Sequence, residues 1–497
     1  MKSITGRNPY EIKDFSGGQI TKSPPKNIDT KCSPDCLNVY AEGAILRKRL
    51  GITVLNPTTM GQTGNGLYNW NRSYTTQWLI SFWREDMRKM DVVGGAWDGV
   101  WDIVAAGTNG TAFTTAGGIT YFANFNSVLL ISNEGYEHIQ KMTTSDSSYS
   151  NIEVGGTGVA PLAKYIAVWK NHAWFLNCSG SVDRVVHSAV NSYNNFTGTT
   201  YGANDLITEN DIGLTGWFIL NGRLYATKAF SIFRFTYTGS PSPLVDIRAI
   251  KNTVGTKSPR TIKNIRTTEG EAVAFLGSDK KLYICDGQDV LELSNAIEIS
   301  NGLSSIYMNA INANYLDKCH AVVHEDLCWY ELFVCVGTAS IPSVSIVYDY
   351  KASSFWPMDN RPFTYAIVGD NGAGQRKVYA QDSTGTAYLL NNGNSDAGNA
   401  INAYWTTPKL GTSVLLAKID EVEVETEAVA GTPTFSWRAD WESGWVSKTM
   451  AINTNSHNWN PGRIDNMIQF RIADNSTNPP FKLWTILLSE RLIGGGK

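Results

Sequence analysis

Residues 272–293, AVAFLGSDKKLYICDGQDVLEL, decide the fold of this chain, because they contain three short apolar runs separated by tight turns. Asp286-Gly287 is a dipeptide that accepts the positive φ angles required at the tip of a tight β-hairpin. Units of the same kind return about every fifty residues, which is a period typical of β-propeller blades. We therefore predict an all-β protein whose central part is a β-propeller.

Similar units lie on both sides of this stretch, and the clearest of them are YFANFNSVLLIS at 121–132, YIAVWKNHAWFL at 165–176, WFILNGRLYAT at 217–227 and VYAQDSTGTAYLL at 378–390. Seven units align on one anchor residue each, and the anchors are Tyr68, Tyr121, Tyr165, Trp217, Val273, Trp329 and Tyr379. Seven units do not fix the number of blades, because one unit can be split or the N-terminal hairpin can complete the last blade. We expect six or seven blades, with six slightly favoured, in a closed ring that hides its sheet edges.

Composition limits the function classes that are open to the chain. It has 497 residues with 42% hydrophobic but only 18% charged residues, which suits short strands and large surfaces buried against copies or partners. The formal net charge of −3 provides no global basic field that would attract nucleic acid. Seven scattered cysteines argue against a disulfide framework and fit folding in a reducing compartment.

Changes in pattern divide the chain into three parts, which we predict to be an extended N-terminal arm with a hairpin (1–60), a β-propeller (61–395) and a C-terminal antiparallel β-sandwich (396–497). The arm is rich in proline and turns, and two strands are predicted around Glu42-Gly43. In the last part, Glu421–Glu427 alternates acidic and mostly apolar residues, as a half-buried strand does. We expect no secretory signal and no membrane-spanning segment.

Catalytic patterns are weak. The chain has no G-x-S-x-G motif, and its few histidines, His172 and His187 among them, are expected to be structural. A propeller glycosidase needs two carboxyl groups close together in a central pocket, and the candidates are Asp98, Asp102, Asp183, Asp279, Asp286 and Asp289. Several of these stabilise turns, and the repeated S-x-D-x-G-x-x-W motif is absent. We predict that the protein is not an enzyme and needs no cofactor, with a propeller glycoside hydrolase or glycan-binding protein as the alternative.

The densest group of metal-ligand residue types is Cys319, His320, His324, Cys328 and Cys335. On one strand these residues span too much chain for a single ion, unless a turn at Glu325-Asp326 brings His324 near Cys328. The close C-x-x-C pairs of zinc sites are missing. We therefore expect buried cysteines that behave as small hydrophobic residues, and no metal site.

Two sets of residues are candidates for contacts with partners. The basic run Arg47-Lys48-Arg49, together with Pro24 and Pro25, is a candidate for an assembly contact, a contact to an acidic partner or a contact to DNA. The alternative is the exposed face of a hairpin. Trp437, Trp441 and Trp445 recur at every fourth residue and could form a surface aromatic contact for sugar or a partner, although a sandwich core is the favoured interpretation.

The N-terminal segment resembles the opening of a family of tailed-phage virion proteins, and the matching positions are Gly17, Gly18, Pro24, Leu37, Asn38, Val39, Gly43, Leu46, Lys48, Arg49 and Gly51. FLGSDKKLYICDGQDVLELSNAIE at 275–298 and SVSIVYDYKASSFWPMDN at 343–360 are similar to the blade units of the same proteins. The resemblance covers most of residues 15–395. Leu50 departs from it, because many members of the family have proline at that position.

The family comprises the tail hub, nozzle and packaged-DNA stabilisation proteins of short-tailed bacteriophages. The resemblance implies a structural virion protein with a β-propeller body, assembled as a homo-oligomeric ring, generally of six copies, around the DNA exit channel. It implies contacts with portal and adaptor proteins above and with tail fibres or spikes outside. DNA would pass through without sequence-specific binding, and the protein would be made in the host cytoplasm and located in the virion tail.

Overall fold

The computed structural model describes residues 8–21, 23–56, 63–73, 76–83, 86–107, 118–135, 137–152, 161–197, 201–208, 211, 213–293, 307–370, 374–411, 416–427, 431, 433–451 and 453–493. Five short strands come first: β1 (Asn8–Ile12), β2 (Cys36–Leu37), β3 (Val39–Glu42), β4 (Ile45–Lys48) and β5 (Ile52–Val54). β3 and β4 form the hairpin predicted around Glu42-Gly43, and Gly43 has a φ of 63° at its tip.

Seven antiparallel sheets then follow one another along the described part of the chain. Blade 1 consists of β6 (Gly64–Asn71), β7 (Gln77–Trp83), β8 (Asp86–Val93), β9 (Ala96–Trp97) and β10 (Asp102–Val104). Blade 2 consists of β11 (Thr120–Phe125), β12 (Val128–Asn133), β13 (Gln140–Thr143) and β14 (Ser150–Asn151). Blade 3 consists of β15 (Ala163–Trp169), β16 (His172–Cys178), β17 (Ser181–His187) and β18 (Gly202–Asp205).

The remaining blades follow the same plan. Blade 4 consists of β19 (Gly216–Leu220), β20 (Arg223–Thr227), β21 (Ile232–Tyr237) and β22 (Val245–Lys251), and blade 5 of β23 (Lys263–Thr267), β24 (Gly270–Leu276), β25 (Leu282–Cys285) and β26 (Val290–Glu292). Blade 6 consists of β27 (His320–His324), β28 (Trp329–Val334), β29 (Val344–Asp349) and β30 (Ser354–Met358). Blade 7 has β31 (Phe363–Asp370), β32 (Arg376–Asp382) and β33 (Ala387–Leu390), with β5 as its fourth strand.

β5 closes the ring. It pairs antiparallel with β33, so that Ile52 lies opposite Leu390, and the last blade therefore contains strands from both ends of the propeller segment. Blades 7 and 1 meet through β31 and β6, and Ser81 Oγ donates a hydrogen bond to Gln381 Oε1 at 2.7 Å across this contact. The protein is an all-β propeller of seven blades, not the six that were slightly favoured, because β5 supplies the strand that the seventh unit lacks.

Nine further strands follow the propeller: β34 (Ile401–Thr406), β35 (Leu410–Gly411), β36 (Leu416–Thr426), β37 (Thr434–Ala439), β38 (Val446–Thr449), β39 (Ser456–Trp459), β40 (Arg463–Asp465), β41 (Met467–Ser476) and β42 (Lys482–Ile493). They form two sheets, with the central orders β3-β4-β42-β36-β39 and β2-β34-β41-β37-β38. The apolar residues of β36 face inward, since Val422 and Val424 are fully buried while the alternating Glu421, Glu423 and Glu425 are not.

The N-terminal segment is part of this sandwich, which differs from the extended arm that the sequence predicted. β1, β3 and β4 belong to the first sheet and β2 to the second, so the propeller is inserted between the early and the late strands of the sandwich. The turn-rich composition of 13–35 concealed this arrangement, because short strands far apart in the sequence leave no local pattern. Phe15 shows the consequence, since it is fully buried against Trp405 with ring centroids 5.0 Å apart.

The sandwich and the propeller share one hydrophobic core. Trp329, Val347 and Trp356 of blade 6 lie in the same buried cluster as the inward residues of both sandwich sheets. Tyr40 of β3 contacts Trp329 edge to face at 4.6 Å, and the backbone N–H of Asn38 donates to Pro357 of β30 at 3.1 Å. The two parts are therefore fused through blade 6.

Helical structure is minor in the described chain. It comprises 3-10 turns at Pro25–Asn27, Pro259–Thr261 and Ala313–Lys318 and a short α-helix at Tyr307–Ala310. In the described residues, no helix is long and apolar enough to cross a membrane.

Candidate functional site

The first strands of all seven blades surround a cavity of about 580 Å³ on the propeller axis. Such a volume is in the usual range of small-molecule sites. The residues that line it come from every blade: Leu67, Tyr68, Asn69, Tyr121, Phe122, Tyr165, Gly216, Trp217, Phe218, Ile219, Pro259, Arg260, Ile262, Lys263, Asn264, His320, Val322, Val323, Glu325, Tyr365, Ala366, Ile367 and Val368. This cavity is the principal candidate site of the propeller.

Aromatic side chains form much of the cavity wall. Tyr68, Tyr121, Trp217 and Tyr365 are half-buried, and Tyr121 meets the ring of Tyr165 edge to face at 4.9 Å. Burial raises the pKa of Tyr68, Tyr121 and Tyr365, so their hydroxyl groups remain protonated at neutral pH. The first four anchors of the repeat pattern thus face the axis, whereas Val273, Trp329 and Tyr379 lie on the second strands of their blades.

Arg260 reaches the axis from the 3-10 turn that precedes blade 5. Its guanidinium donates hydrogen bonds to the backbone carbonyls of Thr364, Asp317 and Lys318 at 2.8–3.1 Å and lies over the Tyr365 ring at 5.2 Å. A second cavity of about 400 Å³ also borders Arg260, so this side chain separates two spaces. Its charge is held by carbonyl dipoles, and within the described residues it has no carboxylate partner.

Lys263 and His320 lie near Arg260 on the cavity wall. Enclosure by the surrounding strands and then the neighbouring charge of Arg260 lower the pKa of Lys263 to about 8. Burial and then Arg260 hold the pKa of His320 well below its usual value, so its ring is neutral near pH 7. The acidic groups nearby are already paired, because Glu325 binds Arg376 at 2.7–2.8 Å and Glu134 binds Lys164 at 3.2 Å.

Three buried polar atoms of the lining residues have no hydrogen-bond partner in the described structure: Asn69 Nδ2, Arg260 Nε and His320 Nε2. Buried polar atoms are nearly always satisfied in folded proteins, so an unpartnered group calls for an explanation. His320 Nδ1 is 3.5 Å from the carbonyl of Lys318, which assigns the proton to Nδ1 and leaves Nε2 as an acceptor. All three atoms are buried behind the cavity surface, so an occupant reaches them only if their side chains shift.

The basic run at 47–49 has a different role from the one predicted. Lys48 is fully buried and binds Asp474 Oδ2 at 2.8 Å, and Arg49 is 1% exposed and binds both oxygens of Asp396 at 2.6–2.7 Å. Neither side chain is available to a partner or to DNA, because each already neutralises a buried carboxylate. Arg47 is partly exposed, pairs with Glu42 and lies 5.9 Å from the Tyr40 ring centroid.

Arg49 is the centre of the junction between the propeller and the sandwich. Its Nε donates to Asn38 Oδ1 at 2.8 Å, and Asn38 itself donates to the backbone carbonyl of Asn402 at 2.7 Å. Asn38 is buried with a φ of 54°, a backbone conformation that asparagine tolerates better than most residues. One arginine and one asparagine thus connect the hairpin strand, the outer strand of blade 6 and the first late strand of the sandwich.

A second buried ionic group lies in blade 6, next to the junction. Burial would raise the pKa of Glu331, but Arg361 and the hydrogen bonds from His324 and Ser345 outweigh this effect and lower it to about 2. His324 Nε2 donates to Glu331 at 2.7 Å and its Nδ1 accepts from Asn391 at 3.0 Å. His324 therefore has a structural role here, and the described residues contain no group of three or more ligands that could hold a metal.

The remaining predicted positions are spread over the molecule. Cys319 and Cys335 are buried, as are His172 and His187, while Cys328 lies in the turn between β27 and β28. The aspartates Asp98, Asp102, Asp183, Asp279, Asp286 and Asp289 are not among the residues that line the central cavity in the described structure. Asp286, for example, accepts hydrogen bonds from the backbone N–H groups of Gln288 and Asp289 in its turn.

The three tryptophans occupy three environments. Trp437 is 4% exposed in the sandwich core, as favoured by the sequence, whereas Trp441 is 78% exposed and donates to Asp465 Oδ1 at 3.1 Å. Trp445 is half-buried with Arg438 and Arg471 over its ring at 4.4 and 4.6 Å. Among the proline positions, Pro24 is exposed, and Pro25 accepts a backbone hydrogen bond from Lys409 at 3.1 Å.

Sequence reasoning found the aromatic cavity positions as repeat anchors but missed the basic ones. Arg260 and Lys263 stand just before and at the start of the first strand of blade 5, and no motif marks them. The available signal was positional: Ser258-Pro259 stops the preceding segment and places Arg260 at the entrance of an inner strand. The sequence pattern around His320 indicates only a residue type that can bind a metal.

No protein-family model matches this chain, and no curated protein matches it either. The extracellular domain of the putative hybrid two-component system BT4673 from B. thetaiotaomicron is 11% identical over 85% of this chain, with a TM-score of 0.44, and this chain covers 58% of that one. The WD40 domain of Toxoplasma gondii coronin is 11% identical over 72% of this chain and 86% of its own, with a TM-score of 0.39. Likenesses at these scores carry no argument about function.

Proposed function

We propose that this protein is a structural subunit of a short-tailed phage tail, part of a ring that surrounds the DNA exit channel. The observation that carries the proposal is the position of the family-like N-terminal residues. Asn38, Lys48, Arg49 and Gly51 all fix the early strands to the sandwich and the propeller. The resemblance therefore rests on residues with a defined architectural task in this chain.

A rigid body suits a ring subunit. Each copy contacts its two neighbours through two different surfaces. The ring closes when the rotations between successive copies add up to one full turn. Such closure tolerates little flexing within each copy. The propeller shares its hydrophobic core with the sandwich through blade 6, and this shared core favours a single block over two domains on a linker.

In the proposed ring, DNA would pass through the central channel that the copies surround and not along the axis of a single propeller. The axial cavity holds about 580 Å³ and is lined by aromatic side chains and Arg260. A DNA duplex, whose major groove alone is about 12 Å wide, does not fit such a space. The exit channel of the proposed assembly therefore lies on the ring axis, outside every individual propeller.

The charge distribution is compatible with a channel that retains DNA by shape and releases it without strong binding. The formal net charge is −3, and the two most conspicuous N-terminal cations are in buried ion pairs. Non-specific affinity for DNA comes mostly from contacts between cations and phosphates. In this role the ring retains packaged DNA, guides its ejection, contacts portal and adaptor proteins, and carries fibres or spikes.

Assembly with the tail proteins of the same virus tests the proposal. The full chain is purified alone and together with the portal and adaptor proteins, and each sample is measured by mass photometry and negative-stain imaging. We expect closed rings of about six copies stacked on the adaptor, in line with the closure rule for head-to-tail contacts. A chain that stays monomeric and unbound in the presence of both partners contradicts the proposal.

A further inference from the structure

We propose that the central cavity of the propeller binds an acidic monosaccharide, a sugar ring that carries a carboxylate. This inference concerns the inside of one subunit and is independent of the assembly role proposed above. It rests on the cationic groups of the cavity, its unpartnered polar atoms and its aromatic wall.

The charge of the cavity is the first argument. Arg260 and Lys263 both border it, and neither forms an ion pair with a carboxylate in the part of the chain that the structure describes. The nearby Glu325 and Glu134 have cationic partners of their own. Arg260 is buried and Lys263 is partly exposed, and two neighbouring cations without an anion repel each other, so an anionic ligand close to both relieves the repulsion.

The hydrogen-bonding capacity is the second argument. Asn69 Nδ2 and Arg260 Nε are buried donors without a partner, and His320 Nε2 is a buried acceptor without one. A simple anion such as acetate uses donors only. A sugar acid also brings hydroxyl groups, which donate to the neutral His320 ring and accept from Asn69. These atoms lie buried in the cavity wall, so a ligand with both a carboxylate and hydroxyl groups satisfies them after a local shift of the three side chains.

The wall and the size of the cavity are the third argument. Tyr68, Trp217 and Tyr365 present partly exposed rings to the space, and aromatic faces provide large apolar contact area next to polar groups. Sugar rings have apolar C–H faces that suit such contacts. About 580 Å³ is in the range of sites that enclose a small organic ligand.

Calorimetric titration of the purified full chain with defined probes tests the inference. The probes are glucuronate and N-acetylneuraminate as acidic sugars, glucose and N-acetylglucosamine as neutral sugars, and acetate as a simple anion. We expect saturable one-to-one binding of at least one acidic sugar, and binding of the neutral sugars and acetate that is weaker by about tenfold or more, because each loses charge-assisted or hydroxyl hydrogen bonds.

The matched variants are Lys263→Met and Arg266→Met. Both residues lie on β23, but Lys263 borders the cavity and Arg266 is exposed outside it. Lys263→Met is expected to weaken binding of the acidic sugar by about tenfold and Arg266→Met to leave it unchanged. Near-UV circular dichroism confirms that both variants keep the native fold.

Three results overturn the inference: no acidic sugar binds the folded protein, neutral sugars bind as tightly as acidic ones, or Lys263→Met binds like the wild type. The assembly measurement separates this inference from the proposed function, because ring formation by Lys263→Met with portal and adaptor is expected to be normal whatever the titration shows.

Discussion

Two neighbouring basic residues of β4 have very different energetic roles. Lys48 is fully buried in an ion pair with Asp474, whereas Arg47 pairs with the exposed Glu42 at the surface. Removing one partner of a buried pair leaves an uncompensated charge, while a surface pair contributes little. We expect Lys48→Met to lower the free energy of unfolding by about 3–5 kcal/mol and Arg47→Met to lower it by less than about 1 kcal/mol.

Urea unfolding followed by tryptophan fluorescence measures both values, and Arg47→Met is the control for the loss of one positive charge from the same strand. Equal effects of the two substitutions would mean that Asp474 is solvated and that Lys48 is not the buried partner described here.

Lys263 gives the protein a pH dependence at the residue scale. Its pKa is about 8 in the folded protein, below the ordinary 10.5. Between these two pH values the unfolded chain binds this proton more tightly than the folded chain, so stability rises with pH across the interval. Lys263→Met lacks this dependence. The variant is expected to be more stable than the wild type at pH 7. We expect this difference in the free energy of unfolding to shrink by on the order of 1–2 kcal/mol from pH 7 to pH 10.5.

Paired unfolding curves of the two proteins at both pH values give this difference directly, since all other titrating groups are common to them. An advantage that is the same at pH 7 and pH 10.5 would show that the Lys263 ammonium is fully solvated in the folded state.

At the scale of single elements, β5 depends on the glycine that precedes it. A Cβ at Gly51 would lie 2.0 Å from the backbone oxygen of Ser395, so the strand could not keep its position beside the 393–397 segment. We expect Gly51→Ala to destabilise the protein by about 1–3 kcal/mol, as overpacking of a close contact does. Gly444→Ala is the matched control, because nothing lies within 4 Å of its added methyl group.

Thermal unfolding followed by circular dichroism compares the two alanine variants with the wild type. If Gly51→Ala has the same melting temperature as Gly444→Ala, blade 7 does not need the close approach of the two backbones.

Elements with local patterns were predictable from the sequence. Asn221-Gly222 and Asp286-Gly287 mark hairpin tips with positive φ at Asn221, Gly222 and Gly287, and the alternation in β36 gave its buried face. The pairing of β5 with β33 was not predictable, because a three-residue strand carries no period and its partner is far away in the chain. The same reason explains why the sequence predicts an extended arm where β1 and β2 lie.

The candidate site was only half predictable. Tyr68, Tyr121, Tyr165 and Trp217 stood out as repeated aromatic residues, but repetition alone does not tell an axial side chain from one between blades. Arg260 belongs to a connecting turn, and the convergence of its charge with Lys263 and His320 arises only when seven strands are placed in a circle. Ring geometry, not local sequence, creates this cavity.

For the molecule as a whole, the shared core predicts one cooperative transition. Trp329 and Trp356 of blade 6 are buried in the same cluster as the sandwich residues, so neither part can expose its core independently of the other. We expect a single calorimetric unfolding peak for the full chain. Two resolved peaks would show that the propeller and the sandwich unfold separately and that the contacts around Trp329 are weak.

Removal of residues 1–40 tests the same architecture from the N-terminus. The sequence predicts this segment to be part of an extended arm, but its deletion removes β1, β2, half of β3 and the buried Phe15. We expect the truncated chain to expose sandwich core, to bind the dye ANS and to lose near-UV circular dichroism. A soluble truncated protein with the melting temperature of the full chain would restore the interpretation of the segment as an independent arm.

The insertion of the propeller within the sandwich also affects how the chain is synthesised. β1 and β4 leave the ribosome early, but their partner β42 is translated last among the described strands, and β5 waits for β33 in the same way. A nascent polypeptide therefore has no complete sandwich until β42 has been synthesised. A product that ends before β42 lacks the strand that pairs with β1, β4 and β36, so its first sandwich sheet stays open and the buried face of that sheet remains uncovered.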